Sequence, residues 1–388
     1  MKLADRVRDF TESVIRDTSR LAMKHGAVNL GQGMPDFDPP EEMIEAAKQA
    51  VSDGFNQYAV TWGTTGLRKA IAAKAQSFNG IDCEADANVT VCCGATECMI
   101  AAMLAIVNPG DEVVIFQPYY ENYGPDAQLS GAKPVWVDLH PPDWTIDPAE
   151  LRRAFSKNTR AIIVNTPNNP TGKVFTRKEL ELIAELCQEF DCYAITDEIY
   201  EHIIYNDTPH ISLATIPGMA ERTITISGLS KTFSCTGWRL GYCLAAPEIT
   251  GAIRKVHDFL TVGAPHPLQV AATVAYSLPP EYYTKLCEDY RRRRGILLGY
   301  LREAGFEFHD PDGAYYVMTD ISKVGGTHDV EFVNWLVKEI GVAGVPGSSF
   351  YHPTERGRTK VRFMWAKRDA TLHEAGKRLQ QLKARKTS

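Results

Sequence analysis

Four stretches of this 388-residue chain set chemically capable side chains directly after short apolar runs. In SGLSKTFSCTGWRLGY (227–242), a single lysine, Lys231, follows a strand-like run and small residues, and Arg239 comes eight positions later. A lysine at the carboxyl end of a core strand is partly desolvated, which depresses its pKa and makes its amine a nucleophile able to form a Schiff base with an aldehyde. In TDEIY (196–200), Asp197 closes a nearly all-apolar strand. A buried carboxylate needs a cation or a donor; a protonated pyridine nitrogen is one such partner and the start of a helix is another. Tyr200, three residues on, can direct its hydroxyl to the same place. NTPNNPTG (165–172) is a turn by its chemistry, and it leaves the amides of Asn165 and Asn169 to donate to a phenolate-like oxygen and to a carboxylate. CCGATECMIAAML (92–104) passes from strand through Gly94 into a helix, so the free N–H groups of Gly94, Ala95 and Thr96 point at an anion such as phosphate. Two other glycine clusters fall short: GQGMPD lacks the third glycine of a dinucleotide loop, and GVAGVPGSS lacks the P-loop lysine.

The elements that must position these groups follow from the apolar pattern. From about Ala87 a short apolar run, a turn and a helical pattern alternate, which is the signature of an α/β layer on a mainly parallel sheet. Seven strands are predicted, at 88–93, 111–116, 133–139, 160–165, 192–197, 222–227 and 239–246, with helices at Thr96–Val107 and Arg177–Phe190. Ligands of such a sheet bind beyond the carboxyl ends of its strands. After Pro280 a long charged helix, a strand near Ala314–Thr319, a helix from Val330 to Ile340, a strand at Lys360–Trp365 and a basic helix read as a smaller α+β domain. The division expected is an N-terminal helix and loop (1–45) packing on the small domain, a large domain (46–280) and a small C-terminal domain (281–388).

Composition limits the function classes. With 42 basic and 48 acidic side chains the formal charge is −6, which excludes nucleic-acid binding by bulk charge, and 44% apolar residues suffice for a large core. The longest apolar stretch, Cys98 to Val107, is half a bilayer span, and the N-terminus lacks a secretory h-region. Nine cysteines, an odd number, mostly in apolar runs, read as reduced thiols of a cytoplasmic protein. Neither Cys93-x4-Cys98 nor Cys187-x4-Cys192 has metal-ligand spacing, so no metal is expected.

A lysine amine, a carboxylate, a phenol, an asparagine, an arginine and an anion-binding helix start, occurring in a fixed order along the chain, together describe a site for pyridoxal 5′-phosphate. On these motifs the chain resembles, over essentially its full length, the fold-type I, class I/II aminotransferases, and within them the kynurenine, glutamine and methionine or aromatic branch. The resemblance implies that Lys231 binds the cofactor aldehyde, Asp197 faces the ring nitrogen, Tyr200 and Asn169 bond the ring hydroxyl, and Tyr120 stacks on the ring. Gly94, Ala95, Thr96, Ser230 and Arg239 would hold the phosphate; Ser230 is the less regular of these, because Gly228 stands three positions before the lysine. Tyr58 resembles a tyrosine that reaches the phosphate of the neighbouring subunit, which implies a homodimer. Arg362 in KVRFMWAK matches the arginine that grips the substrate α-carboxylate, with Asn165 and the Gly31 backbone completing that site.

The implied reaction is ping-pong transamination between an amino acid and a 2-oxo acid. GAPHPLQ (263–269), expected to border the pocket, offers His266 but no arginine for a second carboxylate, and Trp62, Tyr58, Tyr120, Tyr315 and Phe350 supply aromatic surface. Neutral, bulky amino acids such as methionine, glutamine, phenylalanine or kynurenine are therefore the expected donors. A cysteine-conjugate β-lyase or an aspartate-type aminotransferase is the alternative.

Overall fold

The computed structural model describes residues 4, 7, 13–206 and 208–382. Its thirteen strands, among these residues, are β1 (Val28–Asn29), β2 (Val89–Cys92), β3 (Glu112–Gln117), β4 (Lys133–His140), β5 (Thr145–Ile146), β6 (Thr159–Asn165), β7 (Tyr193–Asp197), β8 (Thr223–Gly228), β9 (Gly241–Leu244), β10 (Tyr316–Asp320), β11 (Val342–Ala343), β12 (Val345–Pro346) and β13 (Lys360–Met364). The large sheet has the order β2-β9-β8-β7-β6-β3-β4-β5. The β8-β7-β6-β3-β4 run is parallel and β9, β2 and β5 are antiparallel to their neighbours. The seven expected strands are present, and an eighth, β5, joins them; two residues are too few to show any alternation in the sequence.

Period-two alternation explains why the central strands read as continuous apolar runs. Val114 and Phe116 of β3 pack with Ile162 and Val164 of β6 on one face, while Val113 and Ile115 pack with Ala161 and Ile163 on the other. Both faces are covered, so β3 and β6 are apolar throughout 113–116 and 161–164, until each strand leaves the layer. There the polar residues begin: Asn165 is level with Asp197 across β6 and β7, and Asp197 with Ile226 across β7 and β8.

Helix Arg177–Glu189, which returns the chain from β6 to β7, starts on a capping box: Thr176 accepts from the Glu179 N–H while the Glu179 carboxylate accepts from the Thr176 N–H. The last predicted strand of the large sheet shortens from 239–246 to β9, since Arg239 takes a left-handed backbone conformation, φ +55°. Elsewhere β10, β13 and β12 form a three-stranded antiparallel sheet, and β1 pairs in parallel with β11. Helix Val14–His25 leads into β1; apart from Ala4 and Val7, the part of the 1–45 segment before Ser13 lies outside the described residues, as does the end of the basic C-terminal stretch after Leu382. No helix among the described residues is long and apolar enough to cross a membrane.

Candidate active site

At the carboxyl edge of the large sheet lies a cavity of about 460 Å³, lined by Asn165, Asn169, Asp197, Tyr200, Ser230 and Lys231 from the strand ends and by Arg239 and Arg362. The Asp197 carboxylate accepts from the Tyr123 hydroxyl (2.7 Å) and the Ile199 N–H (3.2 Å). Burial nonetheless raises its pKa above the ordinary carboxylate range, with the tyrosine, the amide and the nearby Lys231 only partly offsetting that cost. The Lys231 ammonium, half-buried and donating to the Gly33 carbonyl at 3.1 Å, has its pKa lowered, first by desolvation. It lies 5.7 Å from the ring centres of Tyr200 and Tyr315. The Tyr200 hydroxyl pairs with that of Tyr316 at 3.0 Å, and burial among these phenols drives its pKa well up, so it stays protonated.

Arg362, on β13, is 1% exposed. Its guanidinium donates to Asn169 Oδ1 (2.7 Å) and the Gly31 carbonyl (2.6 Å), between the rings of Tyr316 (4.3 Å) and Phe350 (4.8 Å). Its Nε is buried without a partner. Asn165 is committed inside the protein: its amide donates to the Asp197 and Pro167 carbonyls and its oxygen accepts from the Asn169 N–H. The Gly31 N–H is likewise taken, by Asn29 Oδ1. Both therefore fix Asn169, Asp197 and Arg362 in place rather than offering a free donor to the cavity.

At the other end, helix Ala95–Ile106 begins at Gly94, φ +85°, with no side-chain cap. A Cβ on Gly94 would sit 2.4 Å from Arg239 Nη2, and one on Gly241 would sit 2.5 Å from the Ala95 nitrogen. Side chains are excluded there, so the guanidinium and the uncapped helix N–H groups converge on one anion position.

The model of the family described as aminotransferase class I and II matches residues 25–378. The chain belongs to the class I and II aminotransferases. It is 39% identical to a probable N-succinyldiaminopimelate aminotransferase of Mycobacterium tuberculosis, over 98% of both chains, and 38% to the methionine aminotransferase of Escherichia coli, over 95% of this chain and 96% of that one. Human kynurenine–oxoglutarate transaminase 1 is 36% identical over 94% of each. A solved structure of the N-succinyldiaminopimelate aminotransferase from Mycobacterium tuberculosis superposes with a TM-score of 0.96 at 40% identity, covering 98% of this chain and all of that one. This aminotransferase is thus a fold-type I, pyridoxal-phosphate-dependent enzyme.

The residues present fit that cofactor. A cradle without room for a Cβ faces Arg239, the buried Asp197 lacks a full counter-charge, and the Lys231 amine lines the same cavity.

Several expected residues lie elsewhere in the aminotransferase chain. Tyr58 is 83% exposed and Trp62 packs under Arg254; neither lines the cavity, nor does His266, which bonds the Gln57 carbonyl. Of the tyrosine pair on the 314–319 run, Tyr316 faces the site, while Tyr315 is core with its hydroxyl on the Gly33 carbonyl. Phe350 is also core, reaching the site only as a face for Arg362.

Sequence reasoning missed Tyr123, Asp126 and Arg16. Tyr123 follows Tyr120 at helical spacing within QPYYENY, a signal that was available. The spacing argument against a metal also considered only sequence neighbours: the fold brings the buried thiols of Cys92, Cys98 and Cys243 within 4.8 Å of one another.

Proposed function

We propose that this aminotransferase moves the amino group of a neutral, bulky or aromatic L-amino acid, of the methionine, glutamine, phenylalanine or kynurenine type, to a 2-oxo acid by ping-pong transamination. One observation carries the reading: a half-buried lysine amine of lowered pKa shares a cavity lined by tyrosines with the buried Asp197 and with the unfilled Nε of Arg362. The names of the Escherichia coli and human relatives, for methionine and kynurenine, support the donor class.

Lys231 would carry the cofactor, Asp197 its ring nitrogen, Tyr200 and Asn169 its ring hydroxyl, and Tyr120 its ring face. Gly94, Ala95, Thr96, Ser230 and Arg239 would hold its phosphate. When bound, the cofactor supplies an electron sink for the pair left on the substrate α-carbon. Arg362 grips the α-carboxylate with a planar fork, fixed by Asn169 and Gly31 and flanked by two rings that keep water off it. Lys231 Nζ, its proton affinity reduced by burial, takes the α-proton. A cation at the ring nitrogen would supply the counter-charge that the buried Asp197 lacks, and Tyr123 holds its carboxylate in place through Oδ2. Asn165 anchors the turn that carries Asn169.

The high exposure of Tyr58 supports a homodimer in which that side chain completes the partner's phosphate site, and nine free cysteines support a reducing, cytoplasmic setting. Replacing Lys231 with alanine should abolish both turnover and the visible absorbance of lysine-bound cofactor. Steady-state transamination retained by that variant would overturn the assignment.

A further inference from the structure

Four cations line the cavity: Arg16, Lys231, Arg239 and Arg362. Transamination as proposed uses three of them and leaves Arg16 without a task. Arg16 lies in the first turn of helix Val14–His25 and is exposed. Among the described residues, no carboxylate pairs with its guanidinium and no carbonyl accepts from it. Yet its backbone is well held. Ser13 Oγ donates to Glu121 Oε1 at 2.5 Å, tying the helix start to the residue after Tyr120. On the far side Ile15 is buried and Ser19, which bonds the Ile15 carbonyl, accepts from Asn29. A fixed Cα at the rim with a free, long side chain gives a charge that can turn into the cavity or out to water.

We propose that Arg16 receives the second carboxylate of substrates that carry one at the end remote from the reacting carbon. The proposal rests on the transamination reading and deepens it. A ping-pong enzyme admits donor and acceptor to one cavity in turn, so a wall that suits neutral side chains must also accommodate whatever charge the acceptor brings. A guanidinium at the rim does this: it meets a distal carboxylate with two parallel hydrogen bonds, and it rotates to solvent when the side chain is neutral. Glu121 is the rival partner, but it already accepts from Ser13 and forms no ion pair with Arg16. Arg362 cannot serve both ends, because its fork is buried and engaged at the α-carboxylate site.

The test compares the holoenzyme with its Arg16→Met and Arg16→Lys variants in single half-reactions. The substrates are methionine and phenylalanine, 2-oxoglutarate and its neutral homologue 2-oxopentanoate, and an amino acid acylated at its far end with a succinyl group. Methionine at position 16 should cost about thirtyfold more in kcat/KM for carboxylate-ended substrates than for neutral ones, equivalent to roughly 2 kcal/mol for a lost charge-assisted pair. The loss should reside mainly in KM and shrink at high salt, and lysine should restore part of it. Glutarate, an unreactive probe, should raise the melting temperature of the parent more than pentanoate does, and the Met variant should lose that difference. A loss confined to 2-oxoglutarate assigns the group to a dicarboxylic acceptor, and one confined to the succinyl compound assigns it to an acylated donor. Equal losses for charged and neutral substrates, or no selective loss and no glutarate effect, would overturn the proposal. Failure of the parent to react with neutral amino acids would instead sink the donor class proposed above, while the charged-to-neutral ratio would still report on Arg16.

Discussion

Two buried carboxylates face the same cavity from different elements, and their surroundings differ. Asp197 stands at the end of β7, level with Asn165, and accepts from a phenol and a backbone amide. Asp126 sits on helix Tyr123–Leu129, one turn past the tyrosine that serves Asp197; it is 5% exposed, and its Oδ2 is buried without a partner. Burial alone lifts the Asp126 pKa to about 7. Depth in the protein is thus common to both, and the donors around each carboxylate separate a group built to hold charge from one that sheds it near neutrality.

Removing the charge that the site is built around should have the largest effect. Asp197→Asn is expected to lower kcat/KM by about a thousandfold, the scale of about 4 kcal/mol for breaking a buried charge pair, with cofactor affinity falling in parallel. A modest loss would mean that the two carboxylates are closer in role than their partners suggest.

The second test concerns Asp126. Because its folded pKa of about 7 exceeds the unfolded value, the folded chain holds a proton between about pH 4 and 7 that the unfolded chain has released. Stability is therefore lost as pH rises through that window, by up to about 4 kcal/mol above it. Asp126→Asn, which stays neutral, should match the parent in melting temperature near pH 4 and exceed it increasingly up to pH 8. A gap that does not widen with pH would mean that the Asp126 carboxylate has a partner.

The smallest effect should come from Tyr123→Phe, which removes one hydrogen bond to a charged acceptor. It should cost about tenfold in kcat/KM, and the Asp197 titration should move further upward, read from the pH dependence of the cofactor absorbance. An unchanged profile would leave the Ile199 amide as the donor that matters.

What the sequence made legible follows the same division. Lys231, Asp197 and Arg239 could be found because they interrupt or follow continuous apolar runs, and such runs mark strands covered on both faces. The choice between Tyr315 and Tyr316 was not legible: a shift of one residue swaps core for cavity, and the run carries aromatic side chains on both sides. Arg16 was hidden for another reason. Ser13 and Glu121 are 108 positions apart, and nothing in helix Val14–His25 alone indicates that its first turn borders a cleft. The eighth strand was hidden by its brevity.

The parallel pairing of β1 with β11, and the grip of Arg362 on Gly31, join residues near 30 to residues beyond 340. During synthesis, Gly31 therefore leaves the ribosome more than three hundred residues ahead of the arginine it must meet. The large sheet can assemble meanwhile, but a nascent chain released early would bind no amino acid, and its leading strand would remain an open edge for chaperones to shield.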